Sequence, residues 1–498
     1  MRGMRRKSRI ARRFEEEEEG LHKGWLKTIA LSAARYRAGL WWWAGVTTGL
    51  SFIFLLPFKG ENFPRGTGLV VLTALFVFFL FVYILRFEPD FLVPRRLHLM
   101  AILLISVSLM GRIIILLPQV SNYFIPLGFL SILASLLLLP SLSVIMSLLL
   151  AILFSLSANS LEIMPILAFG GVIGAYSASF IHQRVDITRT GIHIGLSNVL
   201  MTLGVGLLFD RSSFEIASLG LWGMGNGLFS SILAMGVLPY LETYFGVTTD
   251  IKLLELANLD LPLLKRLSIE APGTYHHSIM VANLAEAGAN AVGVNPLLAR
   301  VGSYYHDIGK IRRPHFFFEN SGMLKGNSHE RMTPNLSSTI IISHVKDGVE
   351  LARRNRLPQV IIDIIEQHHG TGLIAYFYRE ALLKAKNTPK ERSIEEESFR
   401  YPGPKPQSKE AAIVMLADSV EAAFRFSPQR TVKGIALQVK TVIDNKLKDN
   451  QLDECQLTLK ETRKIAEAFT RVLRGVSHVR GRYPDEMLKK AEKRIGDV

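Results

Sequence analysis

The chain contains almost no cysteine, since Cys455 is the only one among its 498 residues. A single thiol excludes any disulfide within one chain. The absence of disulfides is typical of proteins in a reducing compartment, so the soluble part of the chain is expected to lie inside the cell.

Two further signals are absent. The first apolar run begins only near Leu40 and has no small-residue cleavage site, so we expect no signal peptide. After residue 242 the chain lacks the alternation of polar and apolar residues that indicates strands. Its apolar residues recur at helical spacing instead. The predicted fold class is therefore all-α, with a polytopic helical membrane domain followed by an all-helical soluble domain.

Acidic residues are fewer than basic ones, with 43 Asp and Glu against 58 Lys and Arg and a net charge of +15. A charge of this size can indicate a nucleic-acid partner. Much of the excess, however, lies in residues 1–13 and in short loops between apolar runs, where the positive-inside rule explains it. We therefore predict no DNA or RNA partner.

Long apolar runs are abundant, and hydrophobic residues make up 49% of the chain. Crossing roughly 30 Å of hydrocarbon takes about 20 apolar residues. The runs of about this length all lie before residue 242, and they predict a lipid-bilayer protein with eight spans. The predicted spans are near residues 40–57, 67–86, 97–117, 122–140, 141–158, 163–182, 193–209 and 215–240.

The basic residues between these runs predict the orientation. Arg86, Arg95 and Arg96 follow the second span, and Arg184 and Arg189 follow the sixth, whereas the loops after the third and fifth spans carry no Lys or Arg. Basic loops are retained on the cytoplasmic side. An even number of spans then returns the C-terminal half to the cytoplasm, which predicts a multi-pass plasma-membrane protein.

The boundary at Pro140 is the weakest point of this topology, because two spans must turn there within very few residues. If they formed one irregular span, the C-terminal half would lie outside the cell.

The predicted domain organisation has five parts. Residues 1–39 form a cytoplasmic N-terminal tail, 40–241 the transmembrane domain, and 242–270 an amphipathic connector. Residues 271–480 form the soluble helical domain, and 481–498 a C-terminal tail.

Histidines are concentrated in one region of the soluble part. Eight of the thirteen in the chain lie between His276 and His369. Together with Asp307 and Asp418, and without a nearby thiolate, they suit zinc, iron or manganese bound through nitrogen and oxygen. We interpret the region as a metal site.

Adjacent pairs in this region indicate more than one ion. Neighbouring side chains on a helix point about 100° apart. The pairs His306-Asp307 and His368-His369 are therefore poorly placed to face one ion. They suit two adjacent ions with a bridging carboxylate.

Five segments carry a resemblance to a known family. They are EAPGTYHHS at 270–278, YHDIGK at 305–310, ISHVKDG at 342–348, EQHHGT at 366–371 and MLADS at 415–419. The ordered set resembles the HD superfamily of metal-dependent phosphohydrolases. More narrowly, it is similar to the membrane-anchored HD family with a seven-helix receptor-like region, over residues from about 70 to about 480. The resemblance implies a di-metal phosphodiesterase that linearises cyclic di-AMP to pApA with metal-activated water.

The resemblance also implies the metal ligands and the cofactor. The implied cofactor is two divalent metal ions, manganese or iron, with Asp307 as the bridge. The ligands carried over are His277, His306, Asp307, His344, His368, His369 and Asp418. His315 and His329 lie in a polar loop and are not expected to be ligands.

Four further residues are candidates for contacts with the substrate. Lys310, one turn beyond Asp307, could hold a phosphate oxygen and counter developing charge, or pair with an acid; we favour the phosphate. Tyr401 and Lys405 lie in a proline-rich loop that either is a surface excursion or covers the site. His276 either contacts substrate or supports its neighbour.

Members of this family usually carry a large extracellular domain after the first span. Here only residues 59–66 separate the first two spans, so we expect that domain to be absent. A homodimer is left open as a partner arrangement.

Three other functions remain in competition. The first is an HD hydrolase acting on cyclic di-GMP, whose signature has an acidic residue where this chain has Gly370 and Thr371. The second is a nucleotide phosphomonoesterase of the HD class. The third is a membrane receptor whose HD domain only binds nucleotide; its intact ligand set argues against that reading.

Overall fold

The computed structural model describes residues 39–55, 63–323, 329–330, 332–386, 394–425 and 431–479. The chain divides into two compact units, with Met1–Ile251 in the first and Lys252–Val498 in the second. The predicted N-terminal tail, apart from residue 39, and the whole predicted C-terminal tail lie outside the described residues.

The first unit contains eight apolar helices among its described residues. They are α1 (Gly39–Leu55), α2 (Phe63–Phe87), α3 (Pro94–Leu116), α4 (Leu127–Leu137), α5 (Pro140–Ala158), α6 (Ile163–Ala178), α7 (Arg184–Leu208) and α8 (Ser213–Phe245). The five helices α2, α3, α5, α7 and α8 are long and apolar enough to cross a membrane. A helix lies at each of the eight predicted spans.

Several helix ends differ from the predicted spans. The predicted span 122–140 consists of a 3-10 turn at Asn122–Phe124 followed by the short helix α4. The helical conformation is interrupted between Leu137 and Pro140, which favours two separate spans at the boundary that the sequence left least certain. Pro140 is the first residue of α5, a position that suits proline.

The last two helices are longer than predicted. Helix α7 begins at Arg184, because Asp186 caps its first turn by accepting from the backbone N–H of Gln183 at 2.9 Å. Helix α8 continues past the predicted domain boundary at residue 241 and ends at Phe245; the next residue, Gly246, has a φ of +64°, which suits glycine.

Small residues allow the membrane helices to pack closely. A Cβ added at Gly227 of α8 would lie 2.3 Å from the carbonyl oxygen of Gly191 in α7. In lipid, such close approach of backbones is a main source of helix association, because lipid tails are as apolar as leucine.

The second unit is helical too, apart from an isolated antiparallel bridge between Leu373 and Arg400 among the described residues. Its helices are α9 (Asp250–Leu256), which begins at the unit boundary, α10 (Pro262–Glu270), α11 (Pro272–Val292), α12 (Pro296–Tyr305), α13 (Pro334–Arg354), α14 (Gln359–Gln367), α15 (Ala375–Ala385), α16 (Lys409–Arg425), α17 (Val432–Lys448) and α18 (Leu459–Val479). The all-α prediction is confirmed.

Helix α16 lies at the centre of this unit. Every residue from Ala411 to Asp418 is buried, so the helix is enclosed on all sides. Its neighbours include α11, α12, α14 and α17. A residue on α16 is therefore held in a position that several packed helices determine together.

Candidate metal centre

The predicted ligands come from different elements of the second unit. His277 lies on α11, His344 on α13 and Asp418 on α16. His306 follows the last residue of α12, and His368 follows the last residue of α14. Asp307 and His369 are the next residues in each case. All seven predicted ligands lie together.

A glycine sets the distance between two of these elements. Asp307 precedes a 3-10 turn at Ile308–Arg312, and this turn packs against α13. A Cβ added at Gly309 would lie 1.9 Å from the carbonyl oxygen of His344. Only glycine permits this approach, which brings the His344 ring to Asp307.

The two carboxylate oxygens of Asp307 face different histidines. Oδ2 lies 3.2 Å from Nε2 of His306 and 3.6 Å from Nε2 of His277. Oδ1 lies 3.2 Å from Nε2 of His344 and 3.7 Å from Nε2 of His368. One buried carboxylate therefore joins two groups of imidazole nitrogens.

The orientation of three rings is fixed by the backbone. The Nδ1–H groups of His306, His344 and His368 donate to the carbonyl oxygens of the residues three positions earlier, at 2.7, 2.5 and 2.8 Å. A carbonyl oxygen can only accept, so Nδ1 carries the proton in each ring. In the neutral imidazole the Nε2 lone pair then points toward Asp307. Burial lowers the pKa of His368 to about 4, which keeps that ring neutral.

This arrangement fits a bound cation. Nε2 of His306 and Oδ1 of Asp307 are buried and have no hydrogen-bond partner. Lone pairs of neutral imidazoles that face a carboxylate at about 3 Å repel one another unless a positive charge lies between them. Nitrogen and oxygen donors of this kind suit zinc, iron and manganese.

Two sets of side chains have their ligand atoms within 4.8 Å of one another, close enough to hold a metal ion. One consists of His277, His306 and Asp307; the other consists of Asp307, His344, His368 and His369. Asp307 belongs to both. His368 and His369 fall in the same set, which contradicts the expectation that these neighbours face different ions; helix α14 ends at Gln367, so the two rings do not follow regular helical spacing. Asp418 joins the first set, since its Oδ1 lies 3.0 Å from Nε2 of His277.

Comparison with known proteins agrees with this geometry. A family model described as "7TM receptor with intracellular HD hydrolase" matches residues 63–249, and the HD domain model matches residues 274–423. The two matches cover the membrane helices from α2 onward and every predicted metal ligand. The chain therefore carries a seven-transmembrane receptor-type region over residues 63–249, followed by an HD domain over residues 274–423. It is therefore a multi-pass membrane protein, and its metal-dependent HD domain contains a His/Asp cluster that can hold metal.

Two relatives carry the same printed name, cyclic-di-AMP phosphodiesterase PgpH. The protein from Bacillus subtilis is 45% identical over 321 residues, and the one from Listeria monocytogenes is 45% identical over 307 residues. These matches cover 64% and 61% of this chain, but the chain spans only 44% and 42% of the length of those relatives. The crystal structure of the L. monocytogenes PgpH HD domain is 48% identical, covering 44% of this chain and 100% of that one, with a TM-score of 0.41.

Lys310 of the HD domain contacts two acids. Its Nζ lies 2.7 Å from Oδ2 of Asp307 and 2.7 Å from Oε1 of Glu319. Burial opposes the lysine charge, but the two carboxylates raise its pKa above the ordinary value. The alternative that the sequence left open, a pair with an acid, is therefore present. The predicted phosphate contact stays a prediction.

The HD domain also contains a partner for His277 that the sequence did not indicate. Nδ1 of His277 lies 2.5 Å from Oε2 of Glu421, and Nη2 of Arg425 donates to Glu421 at 2.9 Å. Burial lowers the pKa of His277, but Asp418 and Glu421 on either side of the ring raise it to about 10. A metal ion that binds Nε2 must then displace a proton. Glu421 lies three residues after Asp418, on the same face of α16, and that spacing was the available signal.

A cavity of about 200 Å³ opens onto the metal ligands. Lys310 and Tyr401 line it, as do the rings of Phe317 and Phe318. The Tyr401 ring stacks on His369 with centroids 4.2 Å apart. The proline-rich loop therefore covers part of the site. This agrees with the second of the two alternatives that the sequence left open for the loop.

The other histidines and Lys405 lie elsewhere. His276 is exposed and contacts the ring of Tyr275, and neither it nor Lys405 lines the cavity. His315 is exposed, and Nε2 of His329 lies 2.7 Å from the carbonyl oxygen of Phe316.

Proposed function

We propose that the protein is a di-metal phosphodiesterase that hydrolyses cyclic di-AMP to linear pApA. The observation that supports this most strongly is the division of the Asp307 carboxylate between two groups of imidazole nitrogens. Two-metal sites hold their ions roughly 3.5–4 Å apart. A carboxylate that presents one oxygen to each ion is suited to that separation.

The ligand sets assign the residues to the two positions. His277, His306 and Asp418 would hold one ion, and His344, His368 and His369 would hold the other, with Asp307 shared between them. Divalent ions, when bound, stabilise charge on phosphoryl oxygens and lower the pKa of water to about 7. We propose manganese or iron, as the resemblance implied.

The other cavity residues position the substrate. Lys310 stays charged between two carboxylates and lines the cavity, so it is placed to face a non-bridging phosphate oxygen. Tyr401 offers an aromatic face at the cavity wall, on which a base can stack. The His369 ring behind it limits the positions that Tyr401 can adopt.

The choice of cyclic di-AMP rests on the relatives, which carry that substrate in their names. The residues after His369 agree with it, because Gly370 and Thr371 occupy the position where the cyclic di-GMP signature has an acid. We also propose that the HD domain lies in the cytoplasm, where a cyclic dinucleotide messenger would be found.

The test compares the two cyclic dinucleotides on one preparation. The full-length protein in detergent, loaded anaerobically with manganese or iron, should open cyclic di-AMP with the higher kcat/KM. A single mispaired base edge costs on the order of 1–3 kcal/mol, so the preference should be about fivefold to 150-fold. Equal or faster opening of cyclic di-GMP with the same metal would show the substrate to be wrong. Absence of hydrolysis with either metal would contradict the proposal that the protein is an enzyme and would favour a nucleotide-binding receptor.

A further inference from the structure

A second cavity lies at one end of the membrane unit, with a volume of about 300 Å³. It forms where three connections meet, those between α3 and α4, between α5 and α6, and between α7 and α8. Ligand cavities in proteins range from roughly 300 to 1,000 Å³, so this one suits a small molecule. None of the residues that line it belongs to the HD domain.

The charged groups of this cavity do not balance. Nη2 of Arg211 donates to both carboxylate oxygens of Glu162, at 3.1 and 3.2 Å. Nη1 of Arg211 lies 3.6 Å from Oε1 of Glu215. Two carboxylates thus share one guanidinium, and the lining carries a net charge of about −1 at neutral pH. The lining attracts a ligand that brings one positive charge.

The uncharged part of the lining narrows the class of ligand. Ser121, Asn122 and Ser218 offer hydroxyl and amide groups, and Tyr123 and Phe214 offer aromatic rings. An aromatic ring attracts an organic cation by about 0.5–2 kcal/mol. A compact divalent metal ion is disfavoured, because it needs several free oxygen ligands, and both oxygens of Glu162 accept from Arg211 while Oε2 of Glu215 accepts from Ser212.

The cavity wall is firmly attached to α8. Nδ2 of Asn226 donates to the carbonyl oxygens of Tyr123 and Ile125, at 2.9 and 2.7 Å. The Phe124 ring packs edge-on against Trp222 with centroids 5.6 Å apart. The loop that contributes Tyr123 is therefore held by the same helix that contributes Glu215. A ligand meets a preformed site and does not have to order it.

We infer that this cavity is a binding site for a small organic ammonium ion that also carries a hydroxyl or similar polar group. The ammonium lies against the Glu162 and Glu215 carboxylates. The polar group reaches the serine and asparagine side chains of the α3–α4 connection.

The single cysteine makes a direct test feasible. Cys455 is buried, and its replacement in C455S gives a cysteine-free background into which Ser218→Cys places one thiol in the cavity. The full-length protein in lipid nanodiscs is labelled with a cationic and with an anionic methanethiosulfonate reagent. Ser213→Cys, on an exposed residue of α8 outside the cavity, is the matched control.

The ratio of cationic to anionic labelling rates should be at least about ten times larger at Ser218→Cys than at Ser213→Cys. Tenfold is the lower end of the rate increase that a charged cleft produces for ions of opposite charge. Adding Glu215→Gln or Glu162→Gln should reduce the ratio. Equal ratios at the two positions, or a Ser218→Cys thiol that reacts only after denaturation, would overturn the proposal.

Competition then tests binding as distinct from attraction. Ethanolamine, ethylene glycol and glycolate are similar in size and differ in charge. At ionic strength matched with NaCl, ethanolamine should slow the cationic reagent in a saturable way, and the other two should not. Protection no greater than that by NaCl, or equal protection by MgCl₂, contradicts a site for an organic ammonium ion.

Discussion

Asp307 lies among the predicted metal ligands, whereas Glu421 lies behind one of them, His277. Asp307 offers an oxygen to each group of imidazole nitrogens, whereas Glu421 contacts only the far nitrogen of His277. We expect Asp307→Ala to abolish hydrolysis and to remove most bound metal. Glu421→Gln should lower metal affinity or activity by about 10–100-fold, which is typical when the partner of a ligand is changed.

Metal analysis by mass spectrometry and the rate of cyclic di-AMP opening check both changes. The matched control is His315→Ala, which removes an exposed histidine from the segment that follows Asp307. It should change neither the bound metal nor the rate of hydrolysis. Full metal occupancy in the Asp307 variant would contradict its role as a bridge.

The sequence indicated the ligands better than their surroundings. The resemblance to a known family predicted the ligands from His277 to Asp418, and the structure brings these residues together. The Glu421 contact and the pairing of Lys310 with Glu319 depend on how separate elements meet. The order of residues along the chain does not specify such contacts directly.

At the scale of elements, Gly309 determines how closely α13 approaches the 3-10 turn after Asp307. A methyl group there would overlap the His344 carbonyl. We expect Gly309→Ala to destabilise the HD domain by about 1–3 kcal/mol, the usual cost of overpacking. It should also lower metal occupancy, because the turn carries the bridging carboxylate.

Thermal unfolding and metal analysis measure these effects. The matched control is Gly475→Ala on α18, where an added Cβ meets nothing within 4 Å. Alanine is favoured over glycine in a helix by about 0.8–1.0 kcal/mol, so this variant should be neutral or slightly more stable. Equal thermal stability and equal metal occupancy in the two variants would mean that the close approach of Gly309 to α13 does not position the bridging carboxylate.

Two helices of the HD unit, α15 and α17, have weak signals in the sequence. Helix α17 contains Gly434 and several β-branched residues, which lower helix propensity. Packing compensates, since Ile435, Val439 and Ile443 are all buried at a spacing of four residues. In α15, Phe377, Ala381 and Ala385 show the same spacing. The signal was present in both, but it is short and weakly apolar compared with the membrane runs.

At the scale of the whole molecule, the second unit has its own hydrophobic clusters. One gathers around α16, another around α12 and α14, and a small third one contains Phe377 and Phe399; all three consist of residues after 252. We expect residues 252–498 to fold when produced alone and to retain metal and hydrolytic activity. Circular dichroism and the cyclic di-AMP assay check this. An aggregated or metal-free product, where the full-length protein is active, would show that the membrane unit is required.

The orientation of the chain is the second prediction at this scale. A reporter fused after Val498 should score as cytoplasmic, because the basic loops and the even number of predicted spans place both ends on one side. A reporter inserted into the α5–α6 connection, which carries no Lys or Arg, should score as extracytoplasmic. The same score at both positions would contradict the topology.

The ligands of the metal centre are far apart along the chain, since His277 and Asp418 are separated by 141 positions. Contacts of such long range form late in folding. A ribosome adds roughly 5–20 residues per second, so for several seconds the emerging chain has its first histidines but no carboxylate from α16. We therefore expect metal loading to be a late event in biogenesis. A chain that stops short of Asp418 would lack one of the seven predicted ligands, so interrupted synthesis should give a product without a complete metal site.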